Sequence, residues 1–330
     1  MYNENFNISA DSYEPLMLRI EDFEGLKCTE YSFPSDKGQM LAGYLYSNGE
    51  NQHGIVIISH GFGGGGHNSY MDVADYFAKN GYYVFAYDAT AMDKSEGESL
   101  GGVPQGVIDL DYAISFVESN DDIPDFPIVL FGHSWGGYCV SAVLNYHPEV
   151  RAVIECSGFN SSPDMFESGG KSQAGSVIYT MTPFIRIHEF IKYGKYAANT
   201  AMDGFDSSDA NVMIVHSADD KVIGIEYGLD KYYEKYKDDS RFSFIRFEDR
   251  GHNEIINDPD NTYKDELNEK FDEWLETLDY DYNAADNKER FKEDKAKYYT
   301  ENLDHEKWSH RLDEDLFAQF LEFYDKQIGK

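Results

Sequence analysis

Short apolar runs that favour β-strands alternate with segments of helical periodicity from about residue 27 to residue 278. The run GIVIISHG at 54–61 is continuously apolar, which is typical of a parallel strand buried on both faces. Further predicted strands lie at 28–33, 40–47, 82–89, 128–134, 152–158, 211–217 and 241–249. Strands that alternate with helices predict an α/β domain with a mostly parallel central sheet of about eight strands, flanked by helices.

Two stretches interrupt this alternation. Residues 159–210 are too long for an ordinary connection between two strands, and they predict a lid or another functional insertion. Residues 279–330 follow a helix expected at 262–278, which would complete a domain that spans residues 1–278. Apolar side chains recur in this tail at a spacing of three to four residues, at Trp308, Leu312, Leu316, Phe320 and Phe323. The tail is therefore predicted to be a helical extension that packs on the body or forms a homodimer contact.

The charge of the chain limits the classes of partner. It contains 61 acidic and 28 basic residues, for a net charge of −33, and such a charge repels nucleic acid and anionic membranes. No apolar run approaches the roughly 18 residues that cross a bilayer, and the N-terminus lacks the pattern of a signal peptide. Three cysteines without metal-like spacing favour a reducing compartment. We therefore expect a cytoplasmic protein with neither a nucleic-acid partner nor an inserted membrane segment.

The segment FGHSWGGY at 131–138 contains the pattern G-x-S-x-G, formed by Gly132, Ser134 and Gly136. A predicted strand precedes it and a predicted helix follows, which is the context in which this pattern carries a nucleophile. A turn this tight needs small neighbours and leaves the serine hydroxyl exposed above the sheet, where the helix N-terminus favours developing negative charge. The pattern predicts that Ser134 is a nucleophile. The alternative is a glycine-rich helix start with a capping serine.

A serine nucleophile needs a base, because its hydroxyl reacts poorly at neutral pH. His252 follows the last predicted strand, and Gly251 before it permits a sharp loop. His133 lies inside the turn and is expected to point away from the reaction, while His188 in the insertion stays open as an alternative. We predict that His252 is the general base.

The base in turn needs a carboxylate on its far nitrogen, which selects the tautomer and stabilises the imidazolium. The segment IVHSADDKVI at 214–223 ends a predicted strand with two adjacent aspartates, Asp219 and Asp220. An apolar residue stands three positions after each of them, Val222 and Ile223. Spacing alone therefore leaves both aspartates open.

Residues 27–278 resemble the α/β-hydrolase fold family, in which nucleophile, acid and base follow one another in this order. Within that family the chain looks most like small bacterial serine esterases, lysophospholipases and feruloyl (cinnamoyl) esterases. Members often read H-G-x-x-D-x-x-V-P at the acid. Laid on residues 216–224, this motif implies that Asp220 is the acid and that Asp219 is a turn residue.

The segment HGFGGGGHNSY at 60–70 resembles the family's H-G-x-G loop. The resemblance implies an oxyanion hole made of the backbone N–H groups of Phe62 and Trp135. A phosphate-binding loop would end in Lys-Ser or Lys-Thr, which this segment lacks. The loop DATAMDKSEG at 88–97 departs from the family, since Ala91 and Met92 replace the usual Gly and His. This departure changes that loop and leaves the three candidate catalytic residues intact.

The resemblance implies hydrolysis of a small-molecule carboxylic ester through an acyl-enzyme, with no cofactor and no metal. The aromatic-rich insertion predicts an apolar or aromatic acyl group, and a pocket that includes Gly63, Phe159, Phe166, Met181 and Phe184. Aminopeptidase-like amide hydrolysis, acyl transfer and a haloperoxidase-like reaction would use the same three catalytic residues. A non-catalytic binding module would normally lack part of this set.

Overall fold

The computed structural model describes residues 8–63 and 65–330, so the first seven residues of the N-terminal stretch and Gly64 of the glycine run lie outside the described residues. One sheet forms the centre of the molecule. Its strands are β1 (Lys27–Pro34), β2 (Met40–Ser47), β3 (Gly54–Ser59), β4 (Tyr82–Tyr87), β5 (Ile128–His133), β6 (Ala152–Cys156), β7 (Asn211–Ser217) and β8 (Phe242–Phe247). The predicted sheet of about eight strands is confirmed.

The strand order is β1-β2-β4-β3-β5-β6-β7-β8. β2 pairs antiparallel with both β1 and β4. In the sheet order from β4 to β8, all neighbouring strands are parallel. The central strands end together, as the pairs Ser59↔Gly132 and His133↔Cys156 show. Loops that follow these carboxyl ends therefore meet at one edge of the sheet, which is where ligands bind in open α/β sheets.

Helices cover both faces of the sheet. They are α1 (Met71–Lys79), α2 (Pro104–Ser119), α3 (Trp135–Ala142), α4 (Ser162–Ala174), α5 (Ile178–Tyr193), α6 (Lys195–Ala198), α7 (Ala201–Ser207), α8 (Leu229–Tyr236), α9 (Tyr263–Glu276), α10 (Lys288–Asn302), α11 (His305–Ser309) and α12 (Glu314–Ile328). Each face of the sheet carries its own apolar core. Across residues 8–63 and 65–330, no helix is both long and apolar enough to span a bilayer.

The last helix, α12, packs directly on the sheet. Phe317, Phe320 and Tyr324 are fully buried in the core that also contains Phe131 of β5. The hydroxyl of Tyr324 donates a hydrogen bond to the backbone carbonyl of Leu130 at 2.6 Å. The sequence led us to expect the helix at 262–278 in this place. That helix, α9, instead packs against α10 in a small cluster of its own. The domain boundary at residue 278 and the dimer contact through the tail stay predictions.

The insertion at 159–210 folds into four helices, α4 to α7, between β6 and β7. The longest, α5, buries Thr182, Glu189 and Tyr193 against the body. These positions recur every four to seven residues and so lie on one face of the helix. The opposite face of α5 is turned away from the body.

A buried carboxyl group on β6 predicts an unusual pH dependence of stability. Glu155 is completely buried and accepts a hydrogen bond from the hydroxyl of Ser141. Burial raises the pKa of Glu155 from 4.5 to about 8. The folded protein therefore keeps this proton up to about pH 8, whereas the unfolded chain loses it near pH 4.5. Between these values the unfolded state binds fewer protons, so the free energy of unfolding falls as the pH rises.

Glu155→Gln removes this titration. The free energy of unfolding of the variant minus that of the wild type should increase from about pH 5 to about pH 8, by an amount on the order of a few kcal/mol. Urea unfolding at the two pH values measures the difference, and Glu276→Gln, an exposed position on α9, is the matched control. The prediction would be contradicted if the free energy of unfolding changed with pH by the same amount in the wild type and in Glu155→Gln.

Candidate active site

Ser134 stands at the turn between β5 and α3. Its φ is +57°, a conformation that L-residues rarely adopt. A Cβ atom on Gly132 would lie 2.2 Å from the carbonyl oxygen of Gly136, and one on Gly136 would lie 1.9 Å from that of Ser59. Only glycine fits at these two positions. The backbone N–H of Ser134 donates to the carbonyl of Cys156 on the neighbouring strand at 2.8 Å, which helps to hold the strained residue in place.

His252 lies between Ser134 and Asp220. Its Nε2 is 2.8 Å from the Oγ of Ser134, and its Nδ1 is 2.6 Å from Oδ2 of Asp220. Because a carboxylate only accepts hydrogen bonds, Nδ1 carries the proton and Nε2 is left to accept the proton of the serine hydroxyl. The three residues follow β5, β7 and β8, whose carboxyl ends share one edge of the sheet.

Asp220 is buried and fully hydrogen-bonded. Its Oδ1 accepts from the backbone N–H groups of Val222 and Ile223, each at 2.8 Å. The ring of His216 approaches Oδ2 at 3.2 Å. Burial by itself would raise the pKa of Asp220, but the hydrogen bonds from His216 and His252 outweigh it and hold that pKa well below its usual value. Asp220 is therefore ionised at neutral pH.

Asp219 is exposed and has different partners. Its Oδ1 accepts from the hydroxyl of Ser217 at 2.6 Å and from the backbone N–H of Gly251 at 2.8 Å. These hydrogen bonds lower the pKa of Asp219 and tie the end of β7 to the loop that leads into His252. The structure thus brings Asp220, and not Asp219, to the ring of His252.

The loop after β3 is held by buried polar groups. His60 donates from Nδ1 to the carbonyl of Gly61 at 2.7 Å and accepts at Nε2 from the backbone N–H of Ala89 at 3.0 Å. Burial lowers the pKa of His60, so its ring is neutral. Farther along the loop, the N–H of Gly66 donates to Asp93 at 2.7 Å and the N–H of His67 donates to Asp88 at 2.9 Å. The loop that contains Phe62 is therefore anchored on both sides.

A line of hydrogen bonds joins this loop to the loop of His252. The N–H of Gly61 donates to the hydroxyl of Tyr70 at 3.1 Å, and that hydroxyl lies 2.9 Å from Nδ1 of His133. Nε2 of His133 lies 2.9 Å from the backbone carbonyl of His252. A carbonyl only accepts, so Nε2 donates and Nδ1 accepts from Tyr70. Burial lowers the pKa of His133 to about 4, which keeps this arrangement neutral. We call this line the Tyr70–His133 relay.

Sequence reasoning missed both members of the relay as positioning residues. His133 was expected to point away from the reaction. Its side chain contacts the backbone carbonyl of His252. Tyr70 is the last residue of the segment HGFGGGGHNSY, so its place in a loop next to the nucleophile was the available signal. The sequence does not reveal that the folded chain brings Tyr70 within hydrogen-bonding distance of His133.

Ser134 and His252 line a cavity of about 580 Å³. One wall comes from the N-terminal segment between Ser12 and Leu18. Another wall is formed by Asn253, Glu254, Ile256, Asn257, Trp308 and Arg311. Phe62 and Met165 also line it. The walls are therefore supplied mainly by segments outside the predicted lid.

The five predicted pocket residues lie elsewhere, and none of them is among the described residues that line this cavity. Phe159 is fully buried and stacks on Tyr138 at 5.0 Å, while Phe166 packs partly buried against the core. Met181 and Phe184 are exposed because α5 buries its other face. Gly63 is exposed in its loop. His188, the alternative base, is also exposed on α5 and is not a lining residue of the cavity.

One group of side chains among the described residues has the spacing of a metal site, namely Glu118, His147 and Glu149. It lies where the parallel strands begin, at the edge of the sheet opposite Ser134. Both ring nitrogens of His147 are already hydrogen-bonded at 2.8 Å, to Glu149 and to Asp111. This group takes no part in the site around Ser134.

Residues 50–192 match the family described as serine aminopeptidase, S33. This range is less than half of the chain. Among curated proteins, the chain is 30% identical to the uncharacterised protein YfhR of Escherichia coli O157:H7, over 39% of this chain and 46% of that protein. It is also 30% identical to the quorum-quenching protein AidA of Acinetobacter baumannii, over 34% of this chain and 38% of that protein. The chain thus spans less than half of the length of these curated relatives.

Comparison with solved structures extends over more of the chain. The esterase Pf2001 of Pyrococcus furiosus aligns with a TM-score of 0.54 and 16% identity, over 76% of this chain and 91% of that one. Identity this low shows the fold and not the activity. The sheet of this chain has eight strands and is mostly parallel, with helices on both faces. This chain therefore has the α/β-hydrolase fold, as its sequence predicted.

Proposed function

We propose that this protein is a serine hydrolase that cleaves carboxylic esters with an apolar or aromatic acyl part. Ser134 is the nucleophile, His252 the general base and Asp220 the acid that orients the base. The observation that carries this proposal is the hydrogen-bonded line from Asp220 through His252 to Ser134, with distances of 2.6 and 2.8 Å, at the wall of a cavity.

The first half of the reaction acylates the enzyme. His252 takes the proton of the Ser134 hydroxyl at Nε2 as Oγ attacks the carbonyl carbon of the ester. The ionised Asp220 stabilises the imidazolium that forms. The tetrahedral intermediate then collapses, and His252 gives the proton to the leaving alkoxide, which departs as the alcohol. In the second half water is the nucleophile, and His252 takes one of its protons as it attacks the acyl carbon. His252 then returns this proton to the Oγ of Ser134, whose bond to the acyl carbon breaks as the acid product is released.

The negative charge of the tetrahedral intermediate needs donors, and we assign them to the backbone N–H groups of Phe62 and Trp135. Trp135 is the first residue of α3, so its N–H has no partner within the helix and points with the helix dipole. Phe62 lies in the anchored loop after β3 and lines the cavity. Removal of one such donor typically costs about 3–4 kcal/mol of transition-state stabilisation.

The charges in the cavity favour an ester over an aminoacyl amide. An aminopeptidase needs a carboxylate that is available for the substrate's ammonium group. Asp72 and Glu254 are carboxylates of the cavity wall, but Arg311 lies 3.3 Å from Asp72, and Lys264 is paired with Glu254. The two carboxylates are therefore occupied by cations of the same chain. Leu18, Met165 and Ile256 supply apolar wall that suits the body of an acyl or aryl ester.

A substrate panel tests the proposal. We expect p-nitrophenyl esters of acyl chains of increasing length, together with methyl ferulate, to be hydrolysed with a kcat/KM well above that for an aminoacyl p-nitroanilide. A fluorophosphonate should form a covalent adduct on Ser134, which peptide mass spectrometry locates. Added alcohols should not divert most of the acyl group from water. Faster cleavage of the anilide would favour amide hydrolysis over the proposed ester hydrolysis. Predominant transfer to the alcohol would favour an acyltransferase.

A further inference from the structure

Apolar side chains are exposed on one part of the molecule. Among the described residues, nine large apolar side chains are exposed, and seven of them lie between residues 177 and 191. They are Val177, Tyr179, Met181, Phe184, Ile187, Phe190 and Ile191. Ile191 is 80% exposed and Phe184 is 68% exposed. An apolar patch this concentrated on a folded protein marks a surface that is covered by something else.

The patch lies on the outer face of α5. Thr182, Glu189 and Tyr193 are the buried residues of this helix and face the body. Ile187 and Ile191 are one turn apart on the opposite side, and Phe184 lies one turn before them. The helix is therefore amphipathic with its apolar face outward, which is the reverse of a helix that stabilises its own domain.

The charges around this face differ from those of the rest of the chain. Residues 178–195 contain Arg186, Lys192 and Lys195 against a single acid, Glu189. Glu189 is buried and accepts a hydrogen bond from Ser162 at 2.6 Å. The chain as a whole has a net charge of −33. Lys192 donates to the backbone carbonyl of Gly101 at 2.7 Å, and Lys195 lies over the rings of Tyr146 and Tyr196, so both ammonium groups are directed towards the body. The exposed face of α5 is thus apolar, with the exposed Arg186 at its border and no exposed acid among residues 178–195.

We propose that α5 docks this protein on a zwitterionic phospholipid surface. Phe184, Ile187 and Ile191 would enter the boundary between headgroups and acyl chains, and Arg186 would reach the headgroup phosphates. An apolar face with a cation at its border is typical of helices that lie in a lipid interface. A surface without net charge avoids the repulsion that the acidic remainder of the chain meets at an anionic membrane.

A second copy of this chain fits the patch less well. A two-fold contact through α5 would bring the Arg186 side chains of both copies together. The one acid of this region, Glu189, is buried and is not available to pair them. The helix has 16 residues and lies along the surface of the protein, so the proposal is one of peripheral docking.

The experiment is flotation of the full chain with phosphatidylcholine vesicles at physiological ionic strength. The wild type should float with the vesicles. The lipid-bound fraction of the double variant Ile187→Ser, Ile191→Ser should be lower than that of the wild type by about tenfold or more, because two apolar anchors are removed. Tyr233→Ser is the matched control, since Tyr233 is 51% exposed but lies on α8, and it should float like the wild type. Circular dichroism and thermal unfolding check that both variants are folded.

Three results would overturn the proposal. One is a wild type that stays with the unbound fraction. Another is equal flotation of the wild type and the double variant. The third is a solution mass of two chains for the wild type and one chain for the double variant, without flotation, which would assign the face to a second copy. None of these results depends on hydrolysis, so a failure here and a failure of the proposed function are distinguishable.

Discussion

Ser134→Ala is expected to abolish hydrolysis of p-nitrophenyl esters, with a loss of kcat on the order of 10⁶. The variant removes the Oγ that lies 2.8 Å from Nε2 of His252, and with it the atom that forms the acyl-enzyme. Stability should change little, because the alanine has a Cβ like the serine at the same strained φ. The measurements are the steady-state rate and the free energy of unfolding of the purified variant.

The matched control for Ser134→Ala is Ser119→Ala, at the exposed carboxyl end of α2. It should retain the wild-type rate, which excludes a general effect of removing a serine hydroxyl. Turnover retained by a folded Ser134→Ala variant would rule out Ser134 as the nucleophile. It would also rule out the ester mechanism that we propose.

The second large effect separates the two adjacent aspartates. Asp220→Asn should lower kcat by about 10⁴, because an amide in place of the carboxylate favours the wrong tautomer of His252 and no longer stabilises the imidazolium. Asp219→Asn should lower kcat by no more than about threefold, because Asp219 is exposed and an asparagine retains the oxygen that accepts from Ser217 and Gly251. Steady-state kinetics of both variants with the same ester gives the comparison.

The two aspartate variants have the same change of side chain at neighbouring positions, so each serves as the control of the other. Loss of activity in the 219 variant with an unaffected 220 variant would reverse the assignment of the acid. Equal losses in both would mean that the loop, and not one carboxylate, sets the rate.

The fold could be predicted from the sequence because its signal is local. An apolar run such as GIVIISHG favours a buried parallel strand wherever it stands, and eight such runs predict the sheet. The turn around Ser134 was equally readable, since the two flanking glycines are the ones whose missing Cβ atoms would collide with backbone. Both patterns lie within a few consecutive residues, although the backbone that Gly136 approaches, at Ser59, belongs to β3.

The pocket could not be predicted, because it depends on which face of a helix meets the body. The apolar residues of α5 have the spacing of a core face, yet the helix buries Thr182, Glu189 and Tyr193 and exposes Phe184 and Ile191. The same uncertainty applies to α9 and α12. Both have apolar periodicity, and only the tertiary packing decides that α12 contacts Phe131 under the sheet. Periodicity identifies a helix but does not identify its partner.

The Tyr70–His133 relay has a consequence for how the site responds to a ligand. It connects Gly61, in the loop after β3, to His252, in the loop after β8, through two side chains. A substrate that shifts the loop around Phe62 would stretch the hydrogen bond at Gly61, and the loop of His252 would have to follow or lose its own bond. The two halves of the candidate site are thus linked by hydrogen bonds, and we expect a displacement of one loop to be transmitted to the other.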